Sequence, residues 1–479
     1  MTKKLMKIFI VVAVIVLVSV SIMADRISSA VAATTDAFLE PVSYQLSWHA
    51  GDKDVNGKTM CGTELMCILP YKEKLYASTT LWTESDPSIP KACQLLVLDS
   101  PDVKWKLFHQ FTTRNLRLTC LQTVTFTTDG AGNKINPVEM LLTAPDHLRA
   151  GSIEVFSLDD NSNALVAMTL GTTGDKYSDT RAIGLHHNSV TGIDYVFAGS
   201  TALGIYRGVY DAKATGRITW QASEFTVNAG AYSPGGERVM GFANCNSVFY
   251  AATSKRILKR TDGASPSWIP VKEYPNEINA SCIRGLTAVP NPSGRGQVLL
   301  YNCRGSDKQT CVHRLAPSND YAETVELNIN ADMGRRLAAK VPYVLSAYND
   351  FLNYTLPGTG ENVWMFGCEM TFTPTAVQQH PEWRVMKVEG KYRNDISSRD
   401  MYYAAEGRYY IRHVKAGVVT YELKEVTDPA MPTLVSVRTI AVSPFPADQG
   451  KALYFGGYDC NYQPSHNTAW IYRARLKSK

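Results

Sequence analysis

Apolar and polar positions alternate in short runs along most of the chain, and few stretches carry the 3.6-residue period of a helix. The runs are rich in Val, Ile, Tyr, Phe and Trp and end at Gly, Pro, Asn or Asp. That pattern predicts many short strands joined by tight turns. Stacking the runs shows a repeat. "RVMGFANCNSVFYAAT" from Arg238, "RAIGLHHNSVTGIDYVFAGS" from Arg181 and "RTIAVSPFPADQGKALYFGG" from Arg438 share one layout. Each is an Arg, a strand, a turn, and a second strand ending in small or polar residues. Units at Arg117, Arg284 and Arg399 follow the same layout. A unit at Glu64 has an acid in place of the Arg, and one near Tyr348 lacks it.

Third and fourth strands follow most of these hairpins, as in "RILKRTDGASPSWIPVKEY". Four strands per unit, with starts near 64, 117, 181, 238, 284, 348, 399 and 438, describe the blades of a propeller. A lone blade leaves both faces exposed, whereas a ring lets each blade cover the next. The expected fold is therefore all-β, a single β-propeller of four-stranded blades over residues 34–479, with eight blades favoured. Seven result if the units near 348 and 399 merge. Residues 330–345 and 371–400 are expected to be loops or insertions. The final unit stops after its third strand, while residues 42–49, "VSYQLSWH", form an orphan strand. Trp48 sits there as Trp105, Trp220 and Trp268 sit in fourth strands, so residues 42–49 are expected to complete the last blade and close the ring.

Two short resemblances accompany the repeat. "LDSPDVKW" (Leu98 to Trp105) and "RTDGASPSW" (Arg260 to Trp268) resemble degenerate Asp-boxes of sialidase-type propellers. The resemblance implies a structural turn between third and fourth strands, with the Asp capping backbone amides and the Trp packed in the core. "VVTYELKEVTDPAMPTLVSV" (Val418 to Val437) is similar to the LVIVD repeat of bacterial surface propellers. Sialidase chemistry itself would need the early Arg-Ile-Pro motif, which is absent, and no Tyr–Glu pair can be assigned.

The N-terminus reads as an export signal over residues 1–33: Lys3, Lys4 and Lys7, then an apolar run from Ile8 to Ala24, then Ala30-Val31-Ala32-Ala33. The chain is expected to be periplasmic or secreted, or else anchored by that run, with no membrane span once the signal is cleaved. Of 49 basic and 44 acidic residues, the signal holds four and one, which leaves 45 against 43. So balanced a charge, with no basic cluster, gives no reason to expect a nucleic-acid partner. Ten cysteines in an exported chain predict disulfides, with Cys303 and Cys311 placed to clip one hairpin. No CxxC or CxxCH pair occurs and no metal site is expected; the sequence leaves any cofactor unknown.

In a four-stranded blade, the start of the first strand and the loop after the second lie at the same rim. Arg117, Arg181, Arg238, Arg284, Arg399 and Arg438 should gather there with Glu369, Asp459 and His466. Such a rim suits an anionic or sugar ligand, because the guanidinium fork matches carboxylates. An Arg repeated in nearly every unit also suits contacts between blades. Adjacent His186 and His187 face opposite ways on a strand and are expected in a solvent turn. No catalytic set emerges. The sequence favours a binding module for a glycan or protein ligand at the loop-rich rim, with a sialidase-like hydrolase or lyase as the alternative.

Overall fold

The computed structural model describes residues 41–479 apart from 82–90, 148–149, 175–177, 202, 228–236, 264, 275–282, 306, 347–350, 388–401, 405, 433, 460–466 and 477–479. The body from Ser43 onward is almost entirely antiparallel sheet. Three sheets stand as plain four-stranded blades: Glu64–Tyr71 to Lys106–Gln110, Val239–Cys245 to Ser267–Glu273, and Arg284–Pro290 to Ala322–Asn328. These are blades 1, 4 and 5. Blade 2 (Leu118–Thr128 to Ala164–Thr173) and blade 3 (Ser178–Asn188 to Ile218–Phe225) are joined by the pairs Ser178↔His147 and Asp179↔Asp146. Blades 6 and 7 are joined by Glu369↔Ser436.

Blade 6 corrects the favoured count. The units near 348 and 399 belong to one sheet, because Asn362–Thr371 pairs with Gly407–Lys415. Its first strand is split into Tyr343–Ser346 and Leu352–Thr355, both paired to Asn362–Thr371. The described residues thus form seven blades. The sequence suggests two units here because a large insertion divides the sheet. That insertion holds the helix Pro374–Gln379 and a small hairpin, Val385–Lys387 with Tyr402–Ala404. Another helix, Ile329–Arg336, precedes the blade, capped by the Asn328 side chain on the Ala331 amide.

Blade 7 takes Leu434–Val442, Ala452–Asp459 and Ala469–Leu476 from the end of the chain and Pro41–His49 from its beginning. The orphan strand is the fourth strand, as the Trp pattern predicts. Trp48, Trp105 and Trp268 are all buried between blades. Several hairpins close through two residues with positive φ, such as Lys72-Glu73 and Asn246-Ser247, the turn whose twist matches paired strands.

First strands from six blades, and Phe351 just ahead of the second half of the split strand of blade 6, surround a cavity of about 320 Å3. Neighbouring blades are tied near it by hydrogen bonds. Thr119 Oγ1 donates to the Thr180 carbonyl at 2.9 Å, and the Ile68 and Phe351 amides donate to Thr439 Oγ1 at 3.1 Å and Thr287 Oγ1 at 3.3 Å. Second-strand glycines let the next blade approach. A Cβ on Gly199 would overlap Val239, one on Gly367 the Val437 carbonyl, and one on Gly456 Leu65. The small residues that end the second strands in the repeat are therefore contact points between blades.

The expected Cys303–Cys311 clip is not made. The two are cross-strand neighbours, but Cys311 is a free thiol, so the disulfide of Cys303 is not to it. Cys61, Cys67, Cys93, Cys120, Cys245 and Cys368 carry buried thiols, so most of the cysteines pack as small apolar side chains. Among the described residues, no helix is long and apolar enough to cross a membrane.

Candidate functional site

Most first strands carry a β-bulge near their start, and it sets the geometry of the charged rim. The register shifts fall between Leu65 and Cys67, Leu118 and Cys120, Thr180 and Ala182, Val239 and Gly241, and Val437 and Thr439. Blade 5 shifts between Arg284 and Thr287. Aligned on the bulge, Arg117, Arg238 and Arg284 share one position. Arg181 and Arg438 stand two residues further on, at the bulge itself. The position of Arg117 is held in blades 1 and 3 by acids, Glu64 and Asp179. Stacking the repeat on its Arg therefore merges two positions, because a bulge adds a residue that sequence spacing does not reveal.

Ion pairs at these positions lie within blades 2 and 3 and, at Arg438, bridge blade 7 to its neighbours. Arg117 contacts Asp146 at 3.3 Å, and its amide donates to the same carboxylate at 2.8 Å. Arg181 Nε donates to Asp179 at 2.6 Å, with both side chains at most 5% exposed. Arg438 reaches Glu64 of blade 1 at 3.3 Å and Glu369 of blade 6 at 3.2 Å, and lies over the Tyr458 ring. Burial resists ionisation of Asp179, but the charges of Arg238, Arg181 and Arg117 hold its carboxyl well below the usual range. Burial, aided by the charge of Asp179, raises the pKa of Asp146 against the pull of Arg117. Arg238 and Arg284 are also buried at this rim. Asp459 ends the second strand of blade 7 and binds His49 Nε2 at 2.9 Å. Arg399 and His466 lie outside the described residues.

The cavity walls have a different character. Among the described lining residues the charged one is Arg181; the other polar side chains are Thr119, Gln122, Asn244, Thr287 and Thr439. A second cavity, of about 310 Å3, shares Gln122, Ile183, Phe242, Ala243 and Asn244 with the first and extends along blades 2, 3 and 4. Sequence reasoning missed Gln122 and Asn244, because nothing in the repeat marks an isolated amide. It also misplaced the His pair. Both lie in the strand Ser178–Asn188, with His186 buried and His187 exposed, so they do face opposite ways.

The Asp-box-like stretches both fall between third and fourth strands, as the resemblance implies. Their acids do other work. Asp99 pairs with Lys74 and Lys106 at 2.9 and 2.6 Å, and Asp262 binds Arg260 and His186. The LVIVD-like stretch spans the seam between the fourth strand of blade 6 and the first of blade 7.

A separate carboxyl pair, Glu406 and Glu425, lies on blade 6 against Arg408 and lines neither cavity. Burial, then the charge of Glu425, raises the pKa of Glu406 to about 7. No cluster of metal-ligating side chains occurs among the described residues.

No known protein family and no curated protein matches the chain. Solved structures similar to it include an α-L-arabinanase from Penicillium chrysogenum, bound to arabinobiose, at 9% identity, covering 91% of this chain and 98% of that one with a TM-score of 0.41. The NanB sialidase of Streptococcus pneumoniae is 10% identical over 93% of this chain and 72% of that one, with a TM-score of 0.38. The Dos1 propeller is 11% identical over 91% and 95%, with a TM-score of 0.41.

Proposed function

We propose that the protein is an exported binding module that receives a neutral glycan in its central channel. The N-terminal run of lysines, apolar residues and small residues supports export, either to the periplasm or medium or with the run kept as an anchor. The observation that carries the binding reading is the contrast between rim and channel. Arg117, Arg181 and Arg438 at the rim are engaged by Asp146, Asp179, Glu64 and Glu369, while the channel, apart from the paired Arg181, offers hydroxyls, amides and apolar walls. A carboxylated sugar would have to displace Asp179 from Arg181, a buried pair whose loss leaves one charge unpaired. A neutral, hydroxyl-rich ligand meets no such cost. A protein segment inserted in the channel is the alternative ligand.

An oligosaccharide array tests this. Retention of neutral oligosaccharides is the expected result. Retention of carboxylated sugars alone, lost on reversing Arg181 and Arg284 together, would replace it with an anion site. The hydrolase alternative has one specific observation behind it, the carboxyl of Glu406 poised near neutral pH beside Glu425. Release of reducing ends that Glu406→Gln abolishes would establish that reading instead.

A further inference from the structure

The wall shared by the two cavities is backed by a chain of polar groups that runs between blades 3 and 4. Asn244, exposed on the first strand of blade 4, donates from Nδ2 to the Leu185 carbonyl at 2.8 Å. That bond fixes which end of the amide is oxygen. Its Oδ1 meets Nδ1 of buried His186 at 2.7 Å. His186 Nε2 in turn meets Asp262 Oδ2 at 2.9 Å. Arg260, itself held by two bonds to Glu224 at 3.0 and 3.1 Å, closes on Asp262 from the other side. The His186 ring lies flat on Phe249, 5.0 Å between centroids at 14°, and Phe249 stacks on Phe242 at 5.3 Å. The acid of the Asp-box-like turn thus reaches across to blade 3 and holds, through a histidine, an amide on the channel wall.

Across the first strand of blade 3, on blade 2, stands Gln122. It is exposed, with Nε2 donating to the Thr123 carbonyl at 3.1 Å. Gly184 lies on the blade 3 strand, and a Cβ there would come within 2.7 Å of Phe242 Cβ, so the glycine leaves that side chain its place on the wall. Two amides, each with hydrogen-bonding capacity left over, flank an aromatic edge in a cavity of about 310 Å3. Planar amides beside an aromatic surface match the paired hydroxyls and C–H face of a sugar ring.

We propose that Asn244 and Gln122 are the polar jaws of a subsite for one neutral, hydroxyl-rich ring, with Phe242 as its apolar wall and with His186 and Asp262 as positioning residues. This rests on the glycan-binding reading above and adds to it where the sugar sits. The experiment uses the full chain, the neutral oligosaccharide that the array retains best, and calorimetric titration. Gln122→Ala and Asn244→Ala are each expected to weaken binding about tenfold or more, a change of about 1.4 kcal/mol, with unchanged melting temperatures. His186→Asn, whose δ-amide takes the place of the Nδ1 that meets Asn244, is expected to keep affinity that His186→Leu loses. Wild-type affinity in both Gln122→Ala and Asn244→Ala would overturn the subsite while leaving glycan binding intact. Retention of no neutral sugar by the wild-type chain would overturn the glycan reading and the subsite with it. Should Asn244→Ala fail to fold, exposed Gln122→Ala decides alone.

Discussion

At the scale of single residues, Asp179 shows how the rim is held. Its carboxylate is buried, accepts from Arg181 and Thr201, and sits in the field of Arg117 and Arg238 from the blades on either side. Asp179→Asn leaves several buried cations undercompensated and is expected to cost about 3–5 kcal/mol in denaturant unfolding at pH 7. The folded-state pKa is depressed, so this contribution is fully present above the ordinary carboxylate range and is lost as pH falls from that range through the depressed folded-state value, and the variant and wild-type should converge in strong acid. Glu406 has the opposite sign. Its raised pKa means that keeping it protonated stabilises the fold at low pH, and that advantage is lost as pH rises through about 7. Glu406→Gln should therefore raise the melting temperature at pH 8 relative to the wild type, and change it little at pH 4. The recurring Arg was legible in the sequence, and so was the presence of acids beside it. Which acid meets which Arg was not, because Arg438 finds one partner, Glu64, at the far end of the chain.

Elements show where pattern suffices and where it fails. Strand alternation and the fourth-strand tryptophans marked most blades, because burying one blade against the next demands them. The bulges were invisible, since an inserted residue changes register without changing composition. The split first strand of blade 6 was hidden for a related reason: its two halves are each four residues long, too short to show a period. Glycine placement gives a direct test of blade packing. Gly367→Ala puts a methyl against the Val437 carbonyl and is expected to cost about 1–3 kcal/mol, measured by urea unfolding. The closing strand carries its own titratable latch. Burial disfavours a charge on His49, but its hydrogen bond to Asp459, the charge of that carboxylate, the Ala50 backbone and the charge of Asp52 together outweigh that and raise its pKa. The latch is thus fully made below about pH 6.5, the ordinary histidine value, and weakens as pH rises through the folded-state value. His49→Gln should lower stability in urea unfolding more at pH 5.5 than at pH 8.5.

For the whole molecule, the ring is what turns marginal blades into a stable body, and its closure was the most legible feature of the sequence. Pro41–His49 pairs with Ala469–Leu476 and completes the sheet of blade 7, where the Trp48 pattern places it. The number of blades was less so, because insertions in blade 6 mimic an additional unit. Removing residues up to His49 would expose the edge of Ala469–Leu476 and the apolar flank of Trp470. That chain is expected to self-associate, which light scattering after gel filtration would detect. The closing pairing also bears on time. Blades 1 to 6 form from segments near one another in sequence, but His49 and Asp459 are 410 positions apart. Loop-closure entropy places such a contact late, so refolding should be governed by a slow final step in which the two ends of the chain find each other. Until then a nearly complete ring presents an open strand edge, and the protein is at its most vulnerable to misassembly just before it is finished.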